Sequence, residues 1–237
     1  MKRVLSLLAI VTAGIIVPNA NASVCASTTD CIFTFNTDNG FGGLPSSGTF
    51  GTVELTLSGG NINFNIDLAD SYGFKLIQTG IADGTFGFNQ SGTTAALTYS
   101  NFTSTTQPGN TGNYSGPGGP DLSFSAFGTF DSSILGPGPS GNGGNGANQL
   151  SFTVSRSGGF TDVNQLVDLS VAGGLGSAYF VADVIRTTGC TSDACTGLIA
   201  VTGTPSAVPE PISSALVGTG LIALSLIRRR RASCSSI

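Results

Sequence analysis

The chain has 237 residues, a length that suits one domain of ordinary size, and a formal net charge of −4. Charged residues make up only 9% of it, against about 25% in an average soluble domain, whereas glycine occurs 35 times. Histidine is absent, which excludes Ser-His-Asp and Cys-His nucleophiles, histidine-rich zinc sites and the facial iron triad.

The basic residues lie mainly at the two ends, so the middle of the chain is more acidic than the whole. Residues 23–208 contain twelve of the acidic residues and only three basic ones, Lys75, Arg156 and Arg186, a balance of −9. Such an acidic body repels phosphate backbones. We therefore expect no nucleic-acid partner.

Residues 1–22 have the three parts of a secretory signal peptide. Met1–Arg3 is a cationic start, Val4–Val17 is an apolar run, and the small residues Ala20 and Ala22 stand where signal peptidase reads the chain. The sequence predicts cleavage after Ala22. A transmembrane helix is the less favoured alternative, because the run of about fourteen apolar residues is shorter than the ~20 that span a bilayer.

Residues 23–207 show the period-two pattern of half-buried β-strands. Asn61–Leu68 alternates polar and apolar side chains throughout, and Gln149–Ser155 and Asp121–Phe124 repeat this pattern. Weaker strand predictions, rich in Thr, Val, Ile and Phe, are Cys31–Phe35, Thr49–Leu57, Gly73–Thr79, Thr85–Phe88, Ala95–Tyr99, Leu166–Val171, Ala178–Ile185 and Leu198–Val201. No stretch carries an apolar stripe at helical spacing, and the fifteen phenylalanines are expected to form the core. The pattern predicts an all-β, exported domain, an antiparallel β-sandwich or jelly-roll.

Four of the five cysteines belong to the predicted exported domain, where disulfides persist. Their spacing favours the pairs Cys25–Cys31 and Cys190–Cys195, although three pairings exist and cross-pairing between the two clusters stays open. A Cys₄ zinc site is less favoured, because the first pair lacks the usual spacing and the location is exported. Cys234 follows the last basic cluster and is expected to stay in the reducing cytoplasm.

Carboxylates are the main acid–base groups left to consider. Only two glutamates exist, Glu54 and Glu210, and the aspartates Asp67 and Asp70 lie at a strand end where solvated turn residues are the simpler interpretation. The sequences Asp38-Asn39-Gly40 and Asp67–Asp70 lack the spacing of a calcium loop, and Asx turns explain both. No nucleophile elbow and no phosphate-binding loop is found. We therefore predict that the protein is not an enzyme and has no catalytic residues, no metal site and no cofactor.

A short apolar run followed by a basic cluster stands near the carboxyl terminus. Ile212–Ile227 contains no charged residue and would be about 24 Å long as a helix, which snorkelling side chains and local thinning can fit to a bilayer core of ~30 Å. The residues that follow are expected to remain cytoplasmic and act as a membrane stop: Arg228, Arg229, Arg230 and Arg231. A buried core helix is less favoured because these charges would abut it. The sequence thus predicts a transmembrane helix with the domain outside and residues 232–237 inside.

Pro209, Glu210 and Pro211 precede this run and form an extended, accessible tripeptide, because two prolines exclude helix and ladder pairing. The order of this tripeptide, the short apolar span and the arginine cluster, in a chain with a signal peptide, resembles the carboxyl-terminal sorting segment of the PEP-CTERM family. The resemblance covers residues 208–231, about a tenth of the chain. The tail of six residues after the arginines is longer than the family pattern.

The resemblance implies that the chain is a substrate of exosortase, a membrane-embedded transpeptidase-like enzyme with a cysteine nucleophile. Pro209, Glu210 and Pro211 would be the recognition element, and the inner membrane would hold the precursor transiently before release to the cell surface or the exterior. Proteins of this family are associated with exopolysaccharide-producing, often biofilm-forming, Gram-negative bacteria, which makes exopolysaccharide a candidate partner.

These observations favour a non-catalytic protein of the cell surface or extracellular matrix. A carbohydrate-binding module is the alternative, which four tyrosines and the absence of tryptophan disfavour because tryptophan is the usual stacking surface for sugars. An enzyme that uses only aspartate and tyrosine ranks third.

Overall fold

The structure, a computed structural model, describes residues 24–40, 48–79, 83–92, 94–105, 114–118, 121–137, 146–189 and 195–203. The predicted signal peptide, the sorting segment 208–231, the tail 232–237 and Cys190 lie outside the described residues. Within the described part, no helix has the length and apolar character that crossing a membrane requires.

The described residues form β-strands and two short 3₁₀ helices, at Asp70–Tyr72 and Val163–Leu166. The strands are β1 (Asp30–Phe35), β2 (Thr37–Asp38), β3 (Gly51–Ser58), β4 (Asn61–Leu68), β5 (Phe74–Leu76), β6 (Phe86–Phe88), β7 (Leu97–Ser104), β8 (Leu122–Phe124), β9 (Gly128–Phe130), β10 (Ser132–Ile134), β11 (Gln149–Arg156), β12 (Phe180–Arg186) and β13 (Thr196–Val201). The strand pairs of the sheets described are antiparallel. The prediction of an all-β fold with antiparallel sheets is confirmed.

The first sheet has the strand order β1–β3–β4–β11–β7. Its centre is the hairpin of β3 and β4, whose two-residue turn, Gly59-Gly60, has positive φ at both positions, as tight hairpin turns require. The alternation read from β4 is seen in its burial, since Ile62, Phe64 and Ile66 are buried and the polar residues between them are not. This sheet therefore has one apolar inner face and one polar outer face.

The second sheet has the order β10–β6–β12–β13–β2, and β5 pairs with β12 beside β6. Its central strands are buried on both faces, and the first five residues of β12 and the last five of β13 are all buried. The inner face packs against the first sheet, and the outer face lies under the β8–β9 hairpin. A separate apolar cluster joins this hairpin to the sheet through Leu122, Phe124, Phe127, Phe130, Ala178, Val181, Leu198 and Ala200.

Phenylalanine rings fill the space between the two large sheets. Phe64 of β4 stacks on Phe152 of β11 at 4.8 Å between centroids, and Phe180 of β12 approaches Phe33 of β1 edge-on at the same distance. Phe64 also meets Phe88 of β6 at 4.9 Å. Because the Phe180–Phe33 and Phe64–Phe88 contacts cross from one sheet to the other, the predicted phenylalanine core is confirmed for the described residues.

The predicted disulfide Cys25–Cys31 is present and closes a loop at the start of β1. Both cysteines are buried, and the Cys25 backbone N–H donates to Asn164 Oδ1 at 2.7 Å, which ties this loop to the second 3₁₀ helix. Cys195 is also disulfide-bonded. Since Cys25 and Cys31 bond to each other, cross-pairing between the two clusters is excluded, while the predicted partner Cys190 lies outside the described residues.

The predicted strand Leu166–Val171 is wrong. The chain instead forms the 3₁₀ helix Val163–Leu166, stabilised by a capping box in which Asp162 accepts from the Asn164 N–H and Gln165 accepts from the Asp162 N–H. Beyond this helix the chain is irregular, and Val171 is 73% exposed. The capping box accounts for the helix as far as Leu166, and further along the chain Val171 forms an isolated antiparallel bridge with Thr129.

Candidate functional site

A cleft of about 170 Å³ lies where β7 of the first sheet and β10 of the second sheet begin. The lining includes Leu97 and Tyr99 from the start of β7, and Asp131 and Ser132 at the start of β10. The complete set of described lining residues is Gln90, Ala95, Leu97, Tyr99, Pro117, Asp131 and Ser132. The cleft thus combines three apolar side chains with an amide, two hydroxyls and one carboxylate.

Asp131 is held in place by the segment that follows β6. Its carboxylate accepts from the Gln90 backbone N–H at 3.0 and 3.2 Å, and its own N–H donates to Asn89 Oδ1 at 2.7 Å. The Gln90 side chain is used internally, since it donates to the Ala95 carbonyl and accepts from the Ala95 N–H. The carboxylate is therefore positioned by backbone and amide groups that are themselves buried and bonded.

The electrostatics of the cleft are dominated by desolvation and negative charge. Burial raises the pKa of Asp131 above its ordinary value, hydrogen bonds from Gln90 and Ser132 oppose this, and the charges of Asp168 and Asp121 raise it further. Burial likewise raises the pKa of Tyr99 to about 12, against the opposing effect of Ser132. Tyr99 therefore remains a neutral hydroxyl at physiological pH.

A second perturbed carboxylate, Asp183, lies on the outer face of β12 and is fully buried. Both of its oxygens accept from Thr79, from the backbone N–H at 2.6 Å and from the hydroxyl at 2.8 and 3.0 Å. Burial raises the pKa of Asp183 to about 7, although the hydrogen bonds from Thr79 act in the opposite direction. Through these bonds to Thr79, Asp183 anchors the segment before β6. Because no surface of Asp183 is exposed, a ligand cannot reach it.

The carboxylates considered from the sequence do not come together. Asp67 accepts a hydrogen bond from the Gln149 side chain at 3.0 Å, and Asp70 accepts one from the Asn148 side chain at 3.1 Å. Each carboxylate therefore stabilises the strand or turn in which it lies. Asp38 accepts from the Gly40 N–H, as the predicted Asx turn requires. Glu54 lies on β3, opposite Ile32 of β1 and Asn65 of β4. Among the residues with described positions, no group of three potential metal ligands is found.

Sequence reasoning missed both Asp131 and Asp183. Asp183 could have been noticed, because it is the one charged residue within the apolar run of β12. A charge in such a run is either buried with a hydrogen-bonding partner or exposed at a sheet edge. Asp131 gave no such signal, because a single aspartate between two short strands is ordinary turn chemistry. Its role depends on Gln90 and Tyr99, which are distant in the chain.

No family model, no curated protein and no solved structure matches this chain. The residues predicted for sorting, Pro209–Pro211 and Arg228–Arg231, and the signal-peptide residues Ala20 and Ala22 lie outside the described part. The resemblance to the PEP-CTERM family therefore stays a prediction.

Proposed function

We propose that this chain is an exported, non-catalytic protein of the cell surface or extracellular matrix, delivered through a carboxyl-terminal sorting segment that an exosortase processes. The observation that carries the proposal is the order Pro209-Glu210-Pro211, apolar run and arginine cluster behind a body with an amino-terminal signal sequence. The Cys25–Cys31 disulfide supports an oxidising, extracellular compartment for the body. The finer fold that we propose for that body is a β-sandwich of jelly-roll type.

The apolar run would hold the Pro-Glu-Pro tripeptide at a fixed depth beside a membrane enzyme. Tethering of this kind raises the effective concentration of a cleavage site without any additional contact. The last described strand ends at Val201, ten positions before Pro211 in the sequence.

In a host with an exosortase, we expect the exported protein to lack the residues that follow Pro211, including all four terminal arginines. Intact-mass measurement of the exported form tests this expectation. Glu210→Ala should retain the carboxyl-terminal segment, because the only acid of the recognition element is lost. Pro205→Ala, which changes a proline outside the tripeptide, is the matched control and should be processed normally. An exported wild-type protein that retains Arg228–Arg231 would contradict the proposal.

A carbohydrate-binding module is the second candidate, and the outer face of the first sheet favours it. Side-chain hydrogen bonds join β11 to β4 across this face: the Ser151 hydroxyl donates to the Asn65 side chain at 2.9 Å, and the Thr153 hydroxyl donates to the Asn63 side chain at 2.8 Å. The outward residues of β3, β4 and β11 are Thr52, Glu54, Thr56, Ser58, Asn61, Asn63, Asn65, Asp67, Gln149, Ser151, Thr153 and Ser155. Only two of these carry charge, so the face offers neutral donors and acceptors that suit a hydroxyl-rich polymer.

If this face binds polysaccharide, Asn65→Ala should weaken binding to purified exopolysaccharide about two- to tenfold, the range expected for one neutral hydrogen bond. Co-sedimentation at increasing polymer concentration measures this change. Thr188→Ala, which alters an exposed polar residue beyond β12, should bind as the wild type does. Absence of saturable binding by the wild-type protein would exclude the second candidate and leave the first intact.

A further inference from the structure

We propose that the cleft around Asp131 binds a small ligand that carries a primary ammonium group, with the Asp131 carboxylate as its counter-ion. The inference goes beyond the proposed function and does not depend on it. It rests on the charge, the hydrogen-bonding groups and the size of the cleft.

The first argument is that none of the described residues lining the cleft gives the Asp131 carboxylate a cationic partner. Only Lys75, Arg156 and Arg186 are basic between residues 23 and 208, and none of them lines the cleft. The internal segments outside the described residues contain no Lys or Arg. Arg156 pairs in register with the lining residue Leu97, but its guanidinium lies 4.4 Å over the Phe160 ring. A ligand is therefore the natural source of positive charge.

The second argument is that the polar groups of the cleft match the donors of an ammonium group. An ammonium group has three N–H donors and no acceptor, and a carboxylate has about four acceptor sites. Asp131 uses part of this capacity on the N–H of Gln90 and on the hydroxyl group of Ser132. Tyr99 and Ser132 line the same cleft, and their hydroxyl groups, which hydrogen-bond to each other, can accept further hydrogen bonds. Among the described residues that line the cleft, four side chains thus carry oxygen and none is basic.

The third argument concerns size and the classes of ligand that are excluded. A volume of about 170 Å³ is below the ~300–1,000 Å³ of pockets for drug-sized ligands, so it suits one ring or a short chain. Ala95, Leu97 and Pro117 offer apolar contact for the carbon skeleton. An anionic ligand is disfavoured, because the charges of Asp121 and Asp168 also act on Asp131.

Glucosamine and glucose form a matched pair of probes, because they have the same ring and differ by one ammonium group. In ¹H–¹⁵N spectra of the full chain, we expect glucosamine to shift the amide signals of Gln90 and Ser132 with about ten- to hundredfold higher affinity than glucose, as one charged hydrogen bond provides. Putrescine, a linear diamine, is the second arm. Preference for either amine over glucose supports the proposal. The amine that binds more tightly shows whether the cleft prefers a cyclic or a linear ligand.

Asp131→Asn removes the charge but keeps an oxygen that accepts from the Gln90 N–H, so it should abolish the preference for amines. Asp70→Asn removes one exposed charge at the first 3₁₀ helix, away from the cleft and from the outer face of the first sheet, and should leave the preference unchanged. If the wild-type protein prefers neither glucosamine nor putrescine over glucose, the proposal is overturned without any variant. Retention of the amine preference by Asp131→Asn, with its spectrum still dispersed, would overturn it as well.

Discussion

Phe64→Ala is expected to lower the free energy of unfolding by about 3–5 kcal/mol, the range for deleting a fully buried aromatic ring. Phe64 is 1% exposed, and its ring contacts Phe152 of its own sheet and Phe88 of the facing sheet within 5 Å. It also meets Phe86 and Phe180 at 6.1 and 6.2 Å, so five rings share one cluster. A cavity here removes contacts from both sheets at once, and urea unfolding of the full chain measures the loss.

Phe102→Ala provides the matched control for this experiment. Phe102 lies on the edge strand β7, is only partly buried and, among the described aromatic rings, stacks on that of Phe152 at 5.7 Å. Its loss removes a ring of the same size from the rim of the cluster, where solvent and neighbouring side chains can fill the space. We expect a clearly smaller destabilisation, and equal losses for the two variants would contradict the assignment of Phe64 to the centre of the core.

Asp183→Asn is expected to remove a pH dependence of stability between about pH 4 and pH 7. The folded protein raises the pKa of Asp183 from 3.8 to about 7, so in this interval the folded state binds a proton that the unfolded state has released. The contribution of Asp183 to the free energy of unfolding is therefore fully present below about pH 4 and is lost as the pH rises towards 7. The loss is about 4 kcal/mol, at 1.36 kcal/mol per pKa unit. Unfolding free energies of both proteins at pH 4, 6 and 8 measure the difference.

The asparagine is a close substitute for the protonated carboxyl group. Its oxygen can accept from the Thr79 N–H and its amide can donate to the Thr79 hydroxyl, so both bonds are retained. We expect the variant to match the wild-type protein at pH 4 and to exceed its stability by a few kcal/mol at pH 8. Asp67→Asn, at an exposed carboxylate, is the matched control for the exchange of an acid for an amide. A parallel pH dependence of the Asp183→Asn and wild-type proteins would contradict the burial argument.

The candidate site was much harder to predict from the sequence than the strands were. Gln90, Tyr99 and Asp131 each stand in ordinary surroundings, and no spacing rule connects them. They meet because β6 pairs with β10 and because β7 lies at the rim of the facing sheet. The Cys25–Cys31 bond, in contrast, was predictable, because a short loop brings its two ends together at low entropic cost.

By itself, the sequence determined the all-β class, the strands with a clear alternation and the face that each of them buries. Asn61–Leu68 and Gln149–Ser155 show this best, because period-two alternation decides which side chains face a core whatever the partner strand is. Only the tertiary structure decided that β11 lies between β4 and β7, that the β8–β9 hairpin covers the second sheet, and that a carboxylate is buried in β12. The physical reason is that strand pairing and layer packing depend on contacts between residues far apart in the chain, which local patterns do not specify.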